Sequence, residues 1–332
     1  MSEIVKKPSA EQLPTFLSPA AEQYLRESLS PNTRRAYRAQ ISKWVEWCAQ
    51  KRVEPWPADL VQVVNYLSER ADAGQAVSTI RTAVSAIKFG HEAQGLPFDS
   101  RAPAIVKVLK GITRTSGKIA KQAEPIRAHD AFRAITVEDD ANVIELRDAA
   151  VIATGYLFAL RRSELVGLDY GKHGDGDGVL RFTSHAIELT LVRSKTASKG
   201  GEPERVTIPR AGNEAAIAIL KRYIDGAGIK QGTALFRRIW KSGVVGPRLS
   251  AQSVNLIAKR LVGHEYSGHS LRVGFAVSAA EAGVDLRSIA TVTRHASMEM
   301  PRRYAERADQ LRTSPYKVAG VGLSSDAEQV RL

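Results

Sequence analysis

Apolar positions recur at helical spacing through the first third of the chain. In SPNTRRAYRAQISKWVEWCAQ, residues 30 to 50, Tyr37, Ile41, Trp44 and Cys48 fall on one stripe, which predicts an amphipathic helix. Ser30 suits the cap and Pro31 the first helical position, where a missing N–H costs nothing. Arg34, Arg35, Arg38 and Lys43 lie largely off the stripe. VSTIRTAVSAIKFGHEAQG, residues 77 to 95, repeats the design with Ile80, Val84, Ile87 and His91 on one face and Ser78, Arg81, Ser85 and Lys88 on another. His91 reads as a helix-end residue near Gly95 and not as a ligand. The second face is what a helix entering a nucleic-acid groove needs, and equally what any solvated basic face looks like.

These patterns predict a disordered leader over 1–14, a helical domain over 15–110 and a linker over 111–126, where GITRTSGKIAKQAEPI is polar, basic and weakly periodic. That stretch is not a phosphate-binding loop. Five residues separate Gly111 from Gly117 where four are needed, and Ile119 stands where a hydroxyl should be. A second domain, 127–315, opens with helices around HDAFRAI and IELRDAAVIATGYLFAL and then changes texture. VLRFT, AIELTLV and RVTIP, beginning at Val179, Ala186 and Arg205, are β-rich runs separated by turn residues, which predicts a small antiparallel sheet of about three strands. GKHGDGDG before them lacks the closing Glu of a calcium loop and reads as a turn. Helices resume at EAAIAILKRYI, and residues 316–332 form a tail. No internal repeat is present.

Charge sharpens the picture. The 332 residues carry 48 Lys+Arg against 35 Asp+Glu, a net +13, which points to a polyanionic partner. Residues 1–110 hold 15 basic and 11 acidic groups and residues 111–332 hold 33 and 24, so no detachable basic tail explains the excess. Cys48 is the single cysteine; an internal disulfide is impossible, and one thiol assembles neither a thiolate zinc site nor an iron–sulfur site. With no long apolar run or signal-peptide pattern, the reading is a cytoplasmic, nucleoid-associated protein without membrane contact.

Several familiar catalysts are missing. No Gly-x-Ser-x-Gly elbow occurs, and the histidines of HEYSGH, residues 264 to 269, are five apart, which does not place both on one helical face. What remains is an ordered set: Arg161 and Glu164 in ALRRSEL, Lys195 in RSKT, His269 and Arg272 in GHSLR, then His295 and Tyr304 in TRHASMEMPRRYAER. Two guanidiniums can grip the nonbridging oxygens of a phosphodiester, and their charge favours the pentavalent transition state. Tyrosine is the attacking group such a site can use. Its phenol, with an ordinary pKa of about 10, needs a base or a positive field. A lysine on the turn between two strands can protonate the departing sugar oxygen; Lys195 sits there, and Lys199 competes with it. Taken singly, each of these residues reads as an ion pair, a cap or packing, and Glu164 as a partner of Arg161.

Taken together they resemble the tyrosine site-specific recombinases, or phage integrases. That family's signature is an arginine before Ser/Ala-Glu-Leu/Ile, a lysine in a β-hairpin, His-x-x-Arg, and a His or Trp nine residues before the tyrosine. The resemblance covers roughly residues 20 to 315. It implies a mainly α fold: an N-terminal helical, SAM-like core-binding domain plus a mixed α/β catalytic domain, the two clamping duplex DNA. It further implies Tyr304 as nucleophile, Arg161, Arg272 and His295 on the phosphate, His269 in phosphate support or proton transfer, and a 3′-phosphotyrosyl intermediate made without metal, ATP or any cofactor. The partners implied are double-stranded DNA with an inverted-repeat site and, on it, a homotetramer passing through a Holliday junction, the free chain being monomeric. Pro301 caps or kinks the helix bearing the nucleophile. Arg34, Arg81, Ser85, Lys88, Lys199 and Gln252 are the expected DNA contacts, and Val318, Val321 and Leu323 of the tail are expected to dock in trans. Two readings stay open beside it: a type IB topoisomerase-like or telomere-resolving enzyme, and a noncatalytic DNA-binding regulator on the same scaffold.

Overall fold

Trp44, Trp47 and Cys48 on one helix, and Leu146 to Gly155 on another, are the two runs around which the interior is built. A computed structural model describes residues 28–115, 123–192, 202–294, 297–300, 302–304 and 306. The chain divides into two units, Met1–Lys121 and Gln122–Leu332.

The first unit is helical: α1 (Pro31–Lys51), α2 (Leu60–Asp72), α3 (Val77–Glu92) and α4 (Pro103–Thr115). Ser30 caps α1, its Oγ accepting from the Thr33 N–H at 3.1 Å. The buried face of α1 is centred on Trp44, Trp47 and Cys48, with Tyr37 and Ile41 only half-buried. Trp44, Trp47 and Tyr66 pack ring against ring at 5.1 to 5.6 Å, each contact adding to the apolar burial. Ile80, Val84 and Ile87 of α3 and Ile105 and Ile112 of α4 complete this core. His91 is fully buried. Its Nε2 accepts the Ala58 N–H at 2.8 Å and its Nδ1 lies 2.8 Å from the Ile87 carbonyl, so both ring nitrogens are satisfied by backbone.

Helix α4 runs to Thr115, into the stretch 111–126 expected as a linker, because Ile105 and Ile112 keep its apolar face on the core past Gly111. At the other end of that stretch Ile126 is fully buried in the second unit and its N–H donates to the Ser270 carbonyl at 3.1 Å. Gly274 permits this approach, since a Cβ there would stand 1.8 Å from the Ile126 carbonyl oxygen. The leader 1–14 and the tail 316–332 lie outside the described residues.

The second unit runs α5 (Ala128–Ile135), α6 (Val143–Leu157), α7 (Arg162–Val166), β1 (Leu168–Tyr170), β2 (Gly178–Phe182), β3 (Ala186–Leu191), β4 (Glu204–Pro209), α8 (Glu214–Gly226), β5 (Arg237–Ile239), β6 (Val245–Arg248), α9 (Ala251–Leu261), α10 (Gly268–Glu281) and α11 (Leu286–Thr293). Asn142 and Glu145 form a reciprocal cap on α6, and this helix, buried on nearly every side, is the axis of the core.

The small sheet expected from the sequence is present, with one strand more than expected and a parallel edge. It has four strands in the order β1-β2-β3-β4, with β1 parallel to β2 and the other pairs antiparallel. Strand β1 is three residues long, too short to show alternation. The hairpin β5–β6 was equally hidden, because Gly246 and Pro247 interrupt its second strand. GKHGDGDG is the turn from β1 to β2, and the buried Asp169 holds it. Its Oδ2 accepts the N–H groups of Gly174 and Gly176 at 2.7 and 2.9 Å, while Oδ1 pairs with Arg248 at 2.7 Å.

Candidate active site

The site begins where α6 turns into α7. Ala159 takes a left-handed conformation, φ 46°, unusual for a residue with a Cβ. Its carbonyl accepts Arg272 Nη1 at 2.9 Å and Arg294 Nη2 at 3.3 Å, and the Phe158 carbonyl accepts Arg294 Nη1 at 3.0 Å. Two arginines distant in sequence are thus drawn to one bend.

Arg161 caps α7, and Glu164 sits in its first turn. Glu164 Oε2 accepts the Arg161 backbone N–H at 2.9 Å and Oε1 pairs with Arg161 Nη1 at 2.5 Å. Glu164 is 3 % exposed. Burial alone would raise its carboxyl; Arg294, then the backbone N–H and guanidinium of Arg161, overcome that and hold it below the usual value. It is therefore ionised and orients Arg161, whose Nε and Nη2 make no hydrogen bond among the described residues.

Helix α10 brings His269 and Arg272. Its first residue, Gly268, is fixed to α9 by Asn255, whose Oδ1 accepts the Gly268 N–H at 3.0 Å. A Cβ at Gly268 would lie 2.6 Å from the Arg162 side chain and 2.8 Å from Val254, so glycine lets α10 start beside α7. Arg272 is 1 % exposed, and beyond its bond to Ala159 its Nη2 has no hydrogen-bond partner among the described residues. Burial and the neighbouring charges of Arg161 and Arg294 push its pKa down to about 10. A guanidinium so buried and only partly satisfied is costly unless an anion meets it. His269 lies at the surface, yet the protein packed along its ring, followed by Arg272, Arg162 and Arg161, lowers its pKa. The imidazole is thereby kept neutral near pH 7.

Tyr304 is 5 % exposed, packed with Val273, Ala276, Val277 and Ala280 of α10 and Ile289 of α11. Burial raises its phenol pKa and the charge of Arg272 opposes the rise. The structure therefore brings Arg161, Glu164, Arg272 and Tyr304 into one electrostatic neighbourhood, with His269 at its edge. Lys195, Lys199 and His295 lie outside the described residues, as do Pro301 and the three apolar residues of the tail.

The expected DNA contacts stand apart from this cluster in sequence. Arg34, Arg81, Ser85 and Lys88 are exposed on α1 and α3, and Gln252 is exposed in the first turn of α9. Lys88 pairs with Glu92 at 3.4 Å, Ser85 Oγ donates to the Arg81 carbonyl at 3.3 Å, and Gln252 Oε1 accepts from Asn255 at 3.2 Å. The residue that sequence reasoning passed over is Arg294. It is 7 % exposed, in a left-handed conformation at φ 52°, and bonded to both the 158–159 bend and Glu164. Only its position beside His295 could have flagged it. Among the described residues no group of three or more His, Cys, Asp or Glu could hold a metal, and no helix is long and apolar enough to cross a membrane.

Comparison with known proteins follows the same division of the chain. The profile of the Phage integrase family matches residues 125–310, and that of the Phage integrase, N-terminal SAM-like domain matches residues 22–91. The integrase/recombinase xerD homolog of Selenomonas ruminantium is 34% identical over 307 residues, spanning 88% of this chain and 86% of that protein. Recombinase cre of Escherichia phage P1 is 27% identical over 292 residues, 80% of each. Among solved structures, the Tn1549 transposon integrase in complex with transposon right end DNA shares the fold at a TM-score of 0.55 and 19% identity, covering 88% of this chain and 97% of that one. XerH site-specific recombinase bound to a palindromic difH substrate also shares it, at a TM-score of 0.55 and 16% identity over 80% and 72% of the two chains.

Proposed function

This chain belongs to the phage integrase family and is a tyrosine recombinase, an enzyme of site-specific DNA breakage and rejoining, and on that premise we propose that Tyr304 is its nucleophile and that Arg161 and Arg272 hold the scissile phosphate. The observation that carries the reading is Arg272: a guanidinium buried to 1 % exposure, with one nitrogen lacking a partner among the described residues and its charge acting on the Tyr304 phenol.

The chemistry follows from the residues. Tyr304 Oη bonds to phosphorus as the bond from phosphorus to the 5′ oxygen breaks, giving a 3′-phosphotyrosyl link and a free 5′ hydroxyl. Burial favours the neutral phenol, so its proton leaves as attack proceeds. Neutral His269 accepts that proton or supports the phosphate, with His295 as a further phosphate ligand. Lys195, or Lys199 in its place, protonates the departing oxygen. Arg161 and Arg272 gain most where the phosphorane carries extra charge. Because the new ester conserves the energy of the old, the 5′ hydroxyl of a second strand can reverse the step without ATP, and two rounds pass through a Holliday junction.

The sequence-predicted domains 15–110 and 127–315 act as the core-binding and catalytic halves of a clamp on duplex DNA, with Arg34, Arg81, Ser85, Lys88 and Gln252 on the duplex. Four copies assemble on two inverted-repeat sites, with the tail docking in trans, in the cytoplasm. Net charge of +13 supports phosphate-dominated affinity. The test is a library of nicked duplexes with randomised inverted repeats, incubated with the full chain without divalent cations. Recovery of covalently joined duplexes sharing one repeat supports the proposal, as does strand exchange between two copies of the recovered site. Relaxation of supercoiled circles without exchange, or binding without any adduct, contradicts it.

A further inference from the structure

Three arginines crowd the bend at Ala159, and they differ in how their donors are used. A guanidinium has five N–H donors. Arg161 spends Nη1 on Glu164 and Arg272 spends Nη1 on the Ala159 carbonyl; neither has a partner for Nη2 among the described residues. Arg294 turns both of its Nη groups onto the protein, and only its Nε lacks a hydrogen bond among the described residues. Its Nη1 donates to the carbonyls of Phe158 at 3.0 Å and Val292 at 2.7 Å, its Nη2 to the Ala159 carbonyl at 3.3 Å and to Glu164 Oε2 at 3.0 Å, and its Nε faces Glu204 Oε2 at 3.5 Å. No Nη donor is left for a phosphate, and the Nε is turned toward a carboxylate, Glu204.

The backbone makes the same point. Arg294 ends α11 in the left-handed region, φ 52° and ψ 52°, where glycine is the ordinary choice and a side chain is tolerated at some strain. That side chain ties together the 158–159 bend, the first turn of α7 and the first residue of β4.

We infer that Arg294 is a positioning residue for strand cleavage, a buried cation whose two Nη groups fix Arg161 and Arg272 relative to one another by clamping Glu164 and the Ala159 carbonyl they depend on. Its second effect is electrostatic. Glu164 shared between Arg161 and Arg294 is neutralised from two sides. Without Arg294 the carboxylate falls to Arg161 alone, drawing its remaining donors away from the phosphate. The positive pressure on Arg272 also falls, since Arg294 is one of the charges acting on it.

The inference rests on the assignment of Arg161 and Arg272 to the scissile phosphate, and the experiment separates the two. Adduct formation by the full chain is followed on the nicked duplex recovered from the library above, at saturating protein, with duplex affinity measured in parallel. If the wild-type chain forms no adduct on any duplex, the assignment itself fails, before Arg294 is tested. If it does, Arg294→Gly, which suits the left-handed backbone, is expected to slow adduct formation on the order of 10²-fold with affinity within about threefold. Millimolar methylguanidinium should recover about fivefold or more of that loss in the gap left by the side chain. Adding Glu164→Gln should cost less over Arg294→Gly than over the wild type, because the carboxylate no longer has to be shared. Near-UV circular dichroism reports folding; should the glycine variant not fold, Arg294→Lys, which keeps a charge but not the fork, carries the same expectation of slowed cleavage at unchanged affinity. The inference is overturned by cleavage within about threefold of wild type in the folded variant, by a loss confined to affinity, or by a loss that neither methylguanidinium nor Glu164→Gln moderates.

Discussion

His91 in the first unit and Arg272 in the second are both polar side chains at 0 and 1 % exposure, and they are treated in opposite ways. The imidazole has backbone partners on both nitrogens, the Ala58 N–H and the Ile87 carbonyl, and aromatic rings of Trp56 and Phe98 against its faces. The guanidinium is bonded through one nitrogen, left without a partner among the described residues at another, and surrounded by more positive charge. The contrast separates two uses of a buried polar group. His91 closes an interior, and its energetics are complete within the chain. Arg272 leaves an interior unfinished, and under the proposed function the scissile phosphate is the anion that completes it, stability being given up where that function needs it.

The sharpest way to break this contrast is Tyr304→Phe, which keeps the packing against α10 and removes the oxygen. It is expected to bind duplex with unchanged affinity and to form no adduct, a loss beyond about 10⁴-fold; any adduct with this variant moves the nucleophile elsewhere. Next is Arg272→Met. Cleavage should fall about 10³-fold, while thermal unfolding should show stability unchanged or raised by about 1 kcal/mol, because a partly satisfied buried charge is replaced by apolar bulk. A loss of several kcal/mol would mean that the guanidinium is satisfied after all.

His91→Leu should show the reverse. Stability should drop by about 2 kcal/mol, since the part-buried Ala58 N–H is left unpaired, while the folded fraction cleaves at the wild-type rate. The contrast also has a pH signature. The Glu164 carboxyl is held below its ordinary value despite burial, by Arg294 and Arg161. A group whose pKa falls on folding contributes stability above its unfolded value of about 4.3, and that contribution is lost as pH falls through the lower folded value. Melting temperature should therefore decline on acidification below about pH 4.3, and Glu164→Gln should flatten that decline. The smallest effect expected is from Ala159→Gly, which relieves the left-handed strain at a small cost in unfolded-chain entropy and should raise stability by about 0.5 kcal/mol.

How much of this could be read from the sequence follows from the range of the interactions. Helices α1 and α3 were legible because Ser30, Pro31 and the stripes around Trp44 and Ile80 act within a few residues, and strands β2 to β4 because each is a β-rich run of five or six residues set off by turn residues. Strand β1, with three residues, and β6, with Gly246 and Pro247, carry no such local signal and exist through their partners. Helix α4 continued past Gly111 because Ile112 reaches a core that sequence does not display. In the site, residue types and order were enough to single out Arg161, Glu164, Arg272 and Tyr304. Arg294 was not, because its meaning lies in Glu164, 130 positions away, and in carbonyls exposed by the bend at Ala159.

The most direct test of the central claim is to map the covalent bond itself. Trypsin cuts after Arg303 and Arg307, so a nuclease-trimmed adduct made with wild-type chain should yield the peptide 304–307 bearing a nucleotide through its 3′ phosphate. The cleaved strand should carry a 5′ hydroxyl that a polynucleotide kinase labels without prior phosphatase. Nucleotide mass on any other peptide, or a 5′ phosphate on the released strand, would contradict the account.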